Sequence, residues 1–237
     1  QIGMGLLAML GVHELLQMKG LRTTTLEGIL AMLAAFVLTI PLENYLKFLP
    51  VDGNVVAYSL VVFILLGSTV LGKHYSFEDA AYPIAASFYV GIGFNALLDA
   101  RIAGFDKVLL ALFIVWATDS GAYLVGRRYG VHRLAPHVSP NKTVEGSLGG
   151  IVSAVLVTFI FMLFDKNVAA PHHLPIMLLF AVFFSIAGQF GDLVESAIKR
   201  HFGVKDSGKF IPGHGGVLDR FDSMLFVFPL MHFFGLF

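Results

Sequence analysis

The chain has 237 residues, 57% of them hydrophobic and only 14% charged, whereas soluble domains run at roughly 45–50% and about 25%. Its mean hydropathy of +0.79 excludes a solvated disordered coil and argues against a soluble enzyme. Its 16 basic and 16 acidic residues cancel, leaving no global field to draw in nucleic acid, and the absence of cysteine excludes disulfides, thiolate catalysis and cysteine zinc sites.

A helix needs about 20 apolar residues to cross a hydrocarbon core of ~30 Å. In chain order, stretches that reach or approach this length fall at Ile2–Leu16, Leu26–Leu42, Val55–Leu71, Ala80–Leu98, Val108–Val125, Ser147–Phe164, Leu174–Phe190 and Leu218–Phe237. They predict an all-α fold, a polytopic integral membrane helical bundle of about eight transmembrane helices, with residues 1–237 forming one membrane domain. The chain opens at Gln1 inside an apolar run with no basic segment before it, so a preceding N-terminal piece is expected. The only long polar connections are Gly126–Gly146 and the stretch from Gly191 to Val217.

Positive residues are retained on the cytoplasmic side. One set of alternate connections carries Lys19, Arg22, Lys73, Arg127, Arg128, Arg133, Lys142, Lys199, Arg200, Lys205, Lys209 and Arg220; the other carries only Lys47, Arg101, Lys107 and Lys166. This asymmetry predicts that both long polar connections face the cytoplasm.

Ionisable groups inside a span cost at least ~2.5–3.5 kcal/mol on insertion scales, so they mark function by default. Asp119, in LFIVWATDSGAYLVG, is the clearest; its alternative is a structural carboxylate bonded to a neighbouring helix. Asp192 and Glu195 close the seventh span, and Asp219 and Asp222 open the eighth. If the seventh helix runs on as DLVESAIKRHF, Asp192, Glu195 or Ser196, and Lys199 share one face. Asp219 and Asp222 alone are better explained by N-terminal capping and charge complementation of a helix start. Between these acids lies KDSGKFIPGHGGVLDRFD, a glycine-rich basic segment whose N–H groups can approach an anion. Carboxylates flanking such a segment suit a divalent metal with a phosphate. The run Ser139-Pro140-Asn141-Lys142-Thr143-Val144-Glu145-Gly146 offers similar donors, or an ordinary turn and N-cap. Arg127, Arg128 and Arg133 are expected to be positive-inside anchors and headgroup contacts.

The stretch from Ser196 to Asp222, with Lys199-Arg200, Lys205-Asp206, His214-Gly215-Gly216 and Asp219-Arg220-Phe-Asp222, resembles the signature of the phosphatidate cytidylyltransferases, also called CDP-diacylglycerol synthases. Asp119-Ser-Gly-Ala-Tyr and Ser139 to Gly146 resemble that family as well. The resemblance implies a homodimeric, all-helical membrane enzyme, with a further N-terminal helix, that condenses CTP with phosphatidate among the membrane lipids. It implies an active site facing the cytoplasm, at a bacterial inner or cell membrane.

On this resemblance magnesium, accompanied by a second cation, is assigned to Asp192, Asp219 and Asp222, with Asp119 a weaker ligand. Lys142, Lys199 and Asp219 are the expected catalytic groups. Arg200 and Arg220 join the two lysines on the triphosphate, and His214, Gly215 and Gly216 let the segment close. Ser139, Asn141, Thr143, Glu145, Ser196, Lys205 and Lys209 complete the expected substrate contacts. Two other classes share some of these features. A CTP-dependent lipid-alcohol kinase would transfer the γ-phosphate, and an ion-coupled transporter would hold its acids near the midplane of an inverted repeat.

Overall fold

The structure, a computed structural model, describes residues 1–45, 53–71, 75–165, 168, 172–208, 213 and 215–237. Each expected apolar stretch is helical in whole or in part. The helices are α1 (Ile2–Met18), α2 (Leu26–Thr39), α3 (Gly53–Leu71), α4 (Phe77–Ala103), α5 (Phe105–Tyr129), α6 (Val144–Phe164), α7 (Leu174–His201), α8 (Leu218–Phe221) and α9 (Met224–Phe233). Among the described residues five helices, α3 to α7, are long and apolar enough to cross a membrane, which makes this an all-α polytopic membrane protein.

The remaining expected spans depart from their bounds: α1 runs two residues past the expected Ile2–Leu16, whereas α2 stops three residues short of Leu42. α1 has 17 residues and α2 has 14, the latter reaching about 21 Å at 1.5 Å per residue. The final span, expected as one helix over 218–237, is broken at Asp222 and Ser223 into the four-residue α8 and the ten-residue α9. There the Asp222 carboxylate turns back to accept from the Ser223 N–H at 2.6 Å, a local bond that competes with helix continuation. The connection 126–146 also differs from a plain polar loop. α5 runs to Tyr129, and the rest is an antiparallel hairpin of β1 (Arg133–Ala135) and β2 (Ser139–Thr143), pairing Arg133 with Thr143 and Ala135 with Ser139.

The chain divides into two compact units. The first comprises residues 1–98 and 204–220. Its helices start on local signals: the Thr25 hydroxyl caps α2 by accepting from the Gly28 N–H at 3.3 Å. Ala34, Val61 and Leu65 form a core patch between α2 and α3, with Leu30, Tyr58 and Ile84 against it. Gly11 admits Leu218 to the face of α1, since a Cβ there would meet Val90 at 3.0 Å and Leu218 at 3.2 Å.

The second unit comprises residues 99–203 and 221–237. Its most extensive packing joins α5 and α6, and glycines make it so close. A Cβ on Gly146 would stand 2.7 Å from the Ala122 carbonyl, and one on Gly150 would stand 2.8 Å from that of Thr118. Small residues allow such backbone contact between helices where burial from water supplies no drive. Thr118 then donates to the buried Ser185 hydroxyl at 2.9 Å, joining α5 to α7.

Candidate active site

The second unit holds a cavity of about 660 Å³ where α5 ends, the hairpin turns and α6 begins, with α7 completing the wall. Asp119, Tyr123 and Arg127 line it from α5, one helical turn apart. Arg133, Asn141, Lys142 and Thr143 face it from the hairpin, and Gln189 and Asp192 from α7. That volume lies within the usual range for a small-molecule site, roughly 300–1,000 Å³.

Lys142 of β2 forms an ion pair with Asp192 of α7, both side chains about one third exposed or less. The other oxygen of Asp192 accepts from the Ser196 hydroxyl at 3.3 Å, one turn on. Asp119 lies within electrostatic reach of Asp192, Asp222 and Lys142, and Asp222 within that of Asp192 and Lys199. Gly191 brings the last acid in. A Cβ on Gly191 would stand 2.6 Å from the Asp222 carbonyl, so α7 meets the 221–224 turn beside Asp192. Lys199 pairs with the buried Glu195 at 2.9 Å on the same helix.

Other expected contacts take structural parts here. Thr143 caps α6, its hydroxyl accepting from the Gly146 N–H at 3.1 Å. The Glu145 carboxylate accepts from the Val131 N–H at 3.0 Å and the His132 N–H at 3.2 Å, and it pairs with His132 Nδ1 at 2.6 Å, just ahead of β1. Ser139 is half-buried at the start of β2, while Arg200 at the end of α7 is exposed. Lys209 and His214 lie outside the described residues.

The first unit holds Lys205, Gly215, Gly216, Asp219 and Arg220. Lys205 and Arg220 are exposed there. One oxygen of Asp219 accepts from the Ser207 N–H at 2.9 Å, the Ser207 hydroxyl at 2.9 Å and the Gly216 N–H at 2.8 Å. Gly215 makes this turn possible with φ of +83°, a left-handed conformation that glycine adopts freely.

Several residues that matter to these sites carry weak or ambiguous signals in the sequence. Arg127 and Arg133, read as anchors, line the cavity. Arg127 is steadied by donating to the Tyr123 hydroxyl at 3.1 Å. Gln189 was not singled out; it reaches the Ser147 carbonyl and the Ser185 hydroxyl, each at 3.4 Å, and it sits one turn before Asp192. Glu14 was passed over in the first apolar run, although it is 3% exposed. An acid inside an apolar stretch was the available signal, as it was for Asp119.

Glu145 supplies a prediction about how the hairpin is held. In Glu145→Ala the three bonds to residues 131 and 132 are lost, and tryptic cleavage at Arg133 of the detergent-solubilised protein is expected to quicken several-fold. A digestion rate equal to that of the parent would mean that the two-stranded ladder alone fixes the hairpin.

Comparison with known proteins supplies the family. The cytidylyltransferase family profile matches residues 1–237. A phosphatidate cytidylyltransferase of Staphylococcus saprophyticus is 45% identical over 231 residues, covering 96% of this chain and 86% of that protein. Phosphatidate cytidylyltransferases of Staphylococcus epidermidis and Staphylococcus aureus are 44% and 41% identical, with the same coverage. The chain belongs to the cytidylyltransferase family.

Proposed function

We infer that this chain is a phosphatidate cytidylyltransferase, a membrane nucleotidyltransferase that condenses CTP with phosphatidate, releases pyrophosphate and leaves CDP-diacylglycerol in the bilayer for phospholipid synthesis. The observation that carries this reading is the cavity in which Arg127, Arg133 and Lys142 stand with Asp119 and Asp192. Cationic donors suit a polyphosphate, and carboxylates suit the hard cation that accompanies one.

The attacking oxygen belongs to phosphatidate. A phosphomonoester's second pKa is about 6, so at neutral pH the group is largely dianionic and needs no side chain to take its proton. It forms a P–O bond to the α-phosphorus of CTP as the bond to the β-phosphate oxygen breaks and pyrophosphate leaves. What the protein supplies is position and charge. Lys142, oriented by Asp192, offers its remaining N–H groups to phosphate oxygens, and Arg127 and Arg133 add planar donors from two other elements. Asn141 contributes a neutral amide at the mouth. Lys199 and Arg200 extend the basic side of α7, and Asp219 retains its assigned role in the reaction on the strength of the signature.

The donor set fits magnesium. Asp119 lies within electrostatic reach of Asp192 and Asp222, and carboxylate oxygens brought together in this way suit a hard divalent cation. Among the described residues no three acidic or histidine side chains form a protein cage. Magnesium characteristically takes one or two carboxylates and completes its shell with substrate phosphates and water. We therefore assign it to Asp192, with Asp119 or Asp222. When bound, the ion would withdraw charge from the phosphoryl oxygens.

With CTP labelled separately at the α- and γ-phosphates, the purified protein is expected to place the α-label in lipid and the γ-label in pyrophosphate. Recovery of the γ-label in lipid would assign the chain to a lipid kinase instead. Asp192→Asn keeps the shape of the side chain and removes its charge. It is expected to lower turnover about 10²-fold and to raise the magnesium concentration needed for half-maximal rate. An unchanged magnesium titration in a folded variant would remove Asp192 from the metal.

The basic asymmetry supports a cytoplasmic hairpin in a bacterial cell membrane, and the resemblance supports a homodimer. A single Ser139→Cys, in a chain without other cysteines, is expected to resist an impermeant thiol reagent in intact cells and to react once the membrane is opened. Light scattering of the same protein should give twice the chain mass beyond detergent. Labelling from outside, or a single-chain mass, would overturn the respective assignment.

A further inference from the structure

The first unit contains a buried carboxylate enclosed by hydrogen-bond donors. Glu14 projects from the middle of α1 and is buried to 3% exposure. Its oxygens accept from the Val217 N–H at 2.7 Å, the Leu218 N–H at 3.0 Å and the Ser207 hydroxyl at 2.9 Å. All three donors belong to the glycine-rich segment over residues 204–220. The fit is tight on both sides. A Cβ on Gly208 would stand 2.8 Å from a Glu14 oxygen, and one on Gly216 would overlap the carboxylate.

Ser207 connects this carboxylate to Asp219. Its hydroxyl lies 2.9 Å from a Glu14 oxygen and 2.9 Å from an Asp219 oxygen, and a hydroxyl has one proton to donate. Its N–H is fixed on Asp219. The same Asp219 oxygen takes the Gly216 N–H, while Glu14 takes the next two N–H groups, those of Val217 and Leu218. Three successive backbone N–H groups are thus shared between the two acids. Neither Glu14 nor Asp219 can change its position without unseating donors that the other one uses.

A carboxylate buried in an apolar helix is expensive unless donors replace its water. Here they come from the one segment that carries the signature. A helix-packing residue could have been leucine, as its neighbours Leu15 and Leu16 are. We propose that Glu14 is a positioning residue: its carboxylate clamps Ser207 and the Gly216–Leu218 turn onto α1 and so fixes the orientation of Asp219 for the reaction. This rests on the reading of the chain as a cytidylyltransferase in which Asp219 takes part. Glu14 itself touches no substrate. Its contribution appears in how often the segment is correctly folded when substrates are bound, which affects kcat more than either KM.

The test uses the full chain in detergent with phosphatidate micelles, on which Val217→Cys, buried to 2% in the wild type, reports opening of the segment by its rate of thiol labelling. Ala154→Cys, fully buried in the other unit, reports general unfolding. Glu14→Gln retains the volume but offers an amide N–H to the Val217 and Leu218 donors. It is expected to lower kcat about tenfold or more, to change the KM for CTP and for phosphatidate less than about threefold, and to quicken labelling at 217 about tenfold with labelling at 154 unchanged.

Wild-type kcat, or unchanged labelling at 217, overturns the clamp, as does equal acceleration at both cysteines. If Glu14→Gln does not fold, Ser207→Ala decides. A fall in kcat of about threefold with faster labelling at 217 supports the clamp, and wild-type behaviour in both overturns it. Asp219→Asn separates the two readings. Full turnover in that variant, beside an opened and slow Glu14→Gln, retires the role of Asp219 and leaves Glu14 as the holder of the segment. Loss of turnover in Asp219→Asn beside an unaffected Glu14→Gln retires the clamp alone.

Discussion

The ion pair between Lys142 and Asp192 is the constraint on which the cavity depends. It joins the last strand of the hairpin to the long helix α7, two elements about fifty residues apart in the chain. Both side chains are only partly exposed, so each charge has its partner where water reaches it incompletely. The pair can form only if α5 and α6 approach closely enough to bring the hairpin over the end of α7. Gly146 and Gly150 permit that approach by letting backbone meet backbone, and Thr118, Ser185 and Gln189 hold the three helices together beneath it. The cavity is therefore a consequence of packing small residues, with the ion pair fixing its mouth.

The acids of this chain fall into two kinds, distinguished by what neutralises them. Glu14 and Glu145 are satisfied by backbone N–H groups and neighbouring side chains, so they act as internal staples for loops. Asp119 and Asp192 face a cavity that also presents arginine and lysine, and Asp192 is met by the side chains of Lys142 and Ser196 instead of by backbone N–H groups. Residue type alone cannot separate these kinds. Geometry does, because a carboxylate enclosed by three or more fixed donors has few lone pairs left for a metal.

Most of the fold was legible because spanning helices require long apolar runs, and such runs cannot be disguised. The breaks were less so. The last span divides at Asp222 and Ser223, where a local side-chain bond outweighs an apolar pattern that continues on both sides. The hairpin escaped notice because strands of three and five residues with a proline give almost no periodic signal. Within the site, Lys142, Asp119 and Asp192 stood out as charges in or beside apolar sequence. Arg127 and Arg133 looked like anchors because an arginine at a span end has two uses and sequence does not say which. Gln189 and Tyr123 carry no charge and gave no signal. Glu14 did give one, in GVHELLQM, but its partners lie some two hundred residues away in the chain.

Helix length explains why the reactive groups gather where they do. α7 has 28 residues, about 42 Å at 1.5 Å per residue, against a hydrocarbon core of ~30 Å. Asp192 lies about 27 Å along it, and Lys199 about two turns beyond. Asp119 is about 21 Å along α5, slightly deeper, while Lys142 comes down onto the same level from the hairpin. On the proposed reading, a cavity walled by both helices would meet two substrates of opposite character. The lipid can keep its acyl chains in hydrocarbon while its phosphate rises to the level of Asp192, and the nucleotide can stay in water while its triphosphate descends to the arginines. Placing the acids deeper would demand dehydration of the nucleotide, and placing them higher would demand partial extraction of the lipid. The overlong α7 makes neither necessary, because it carries one stripe of charge from the edge of the hydrocarbon into water.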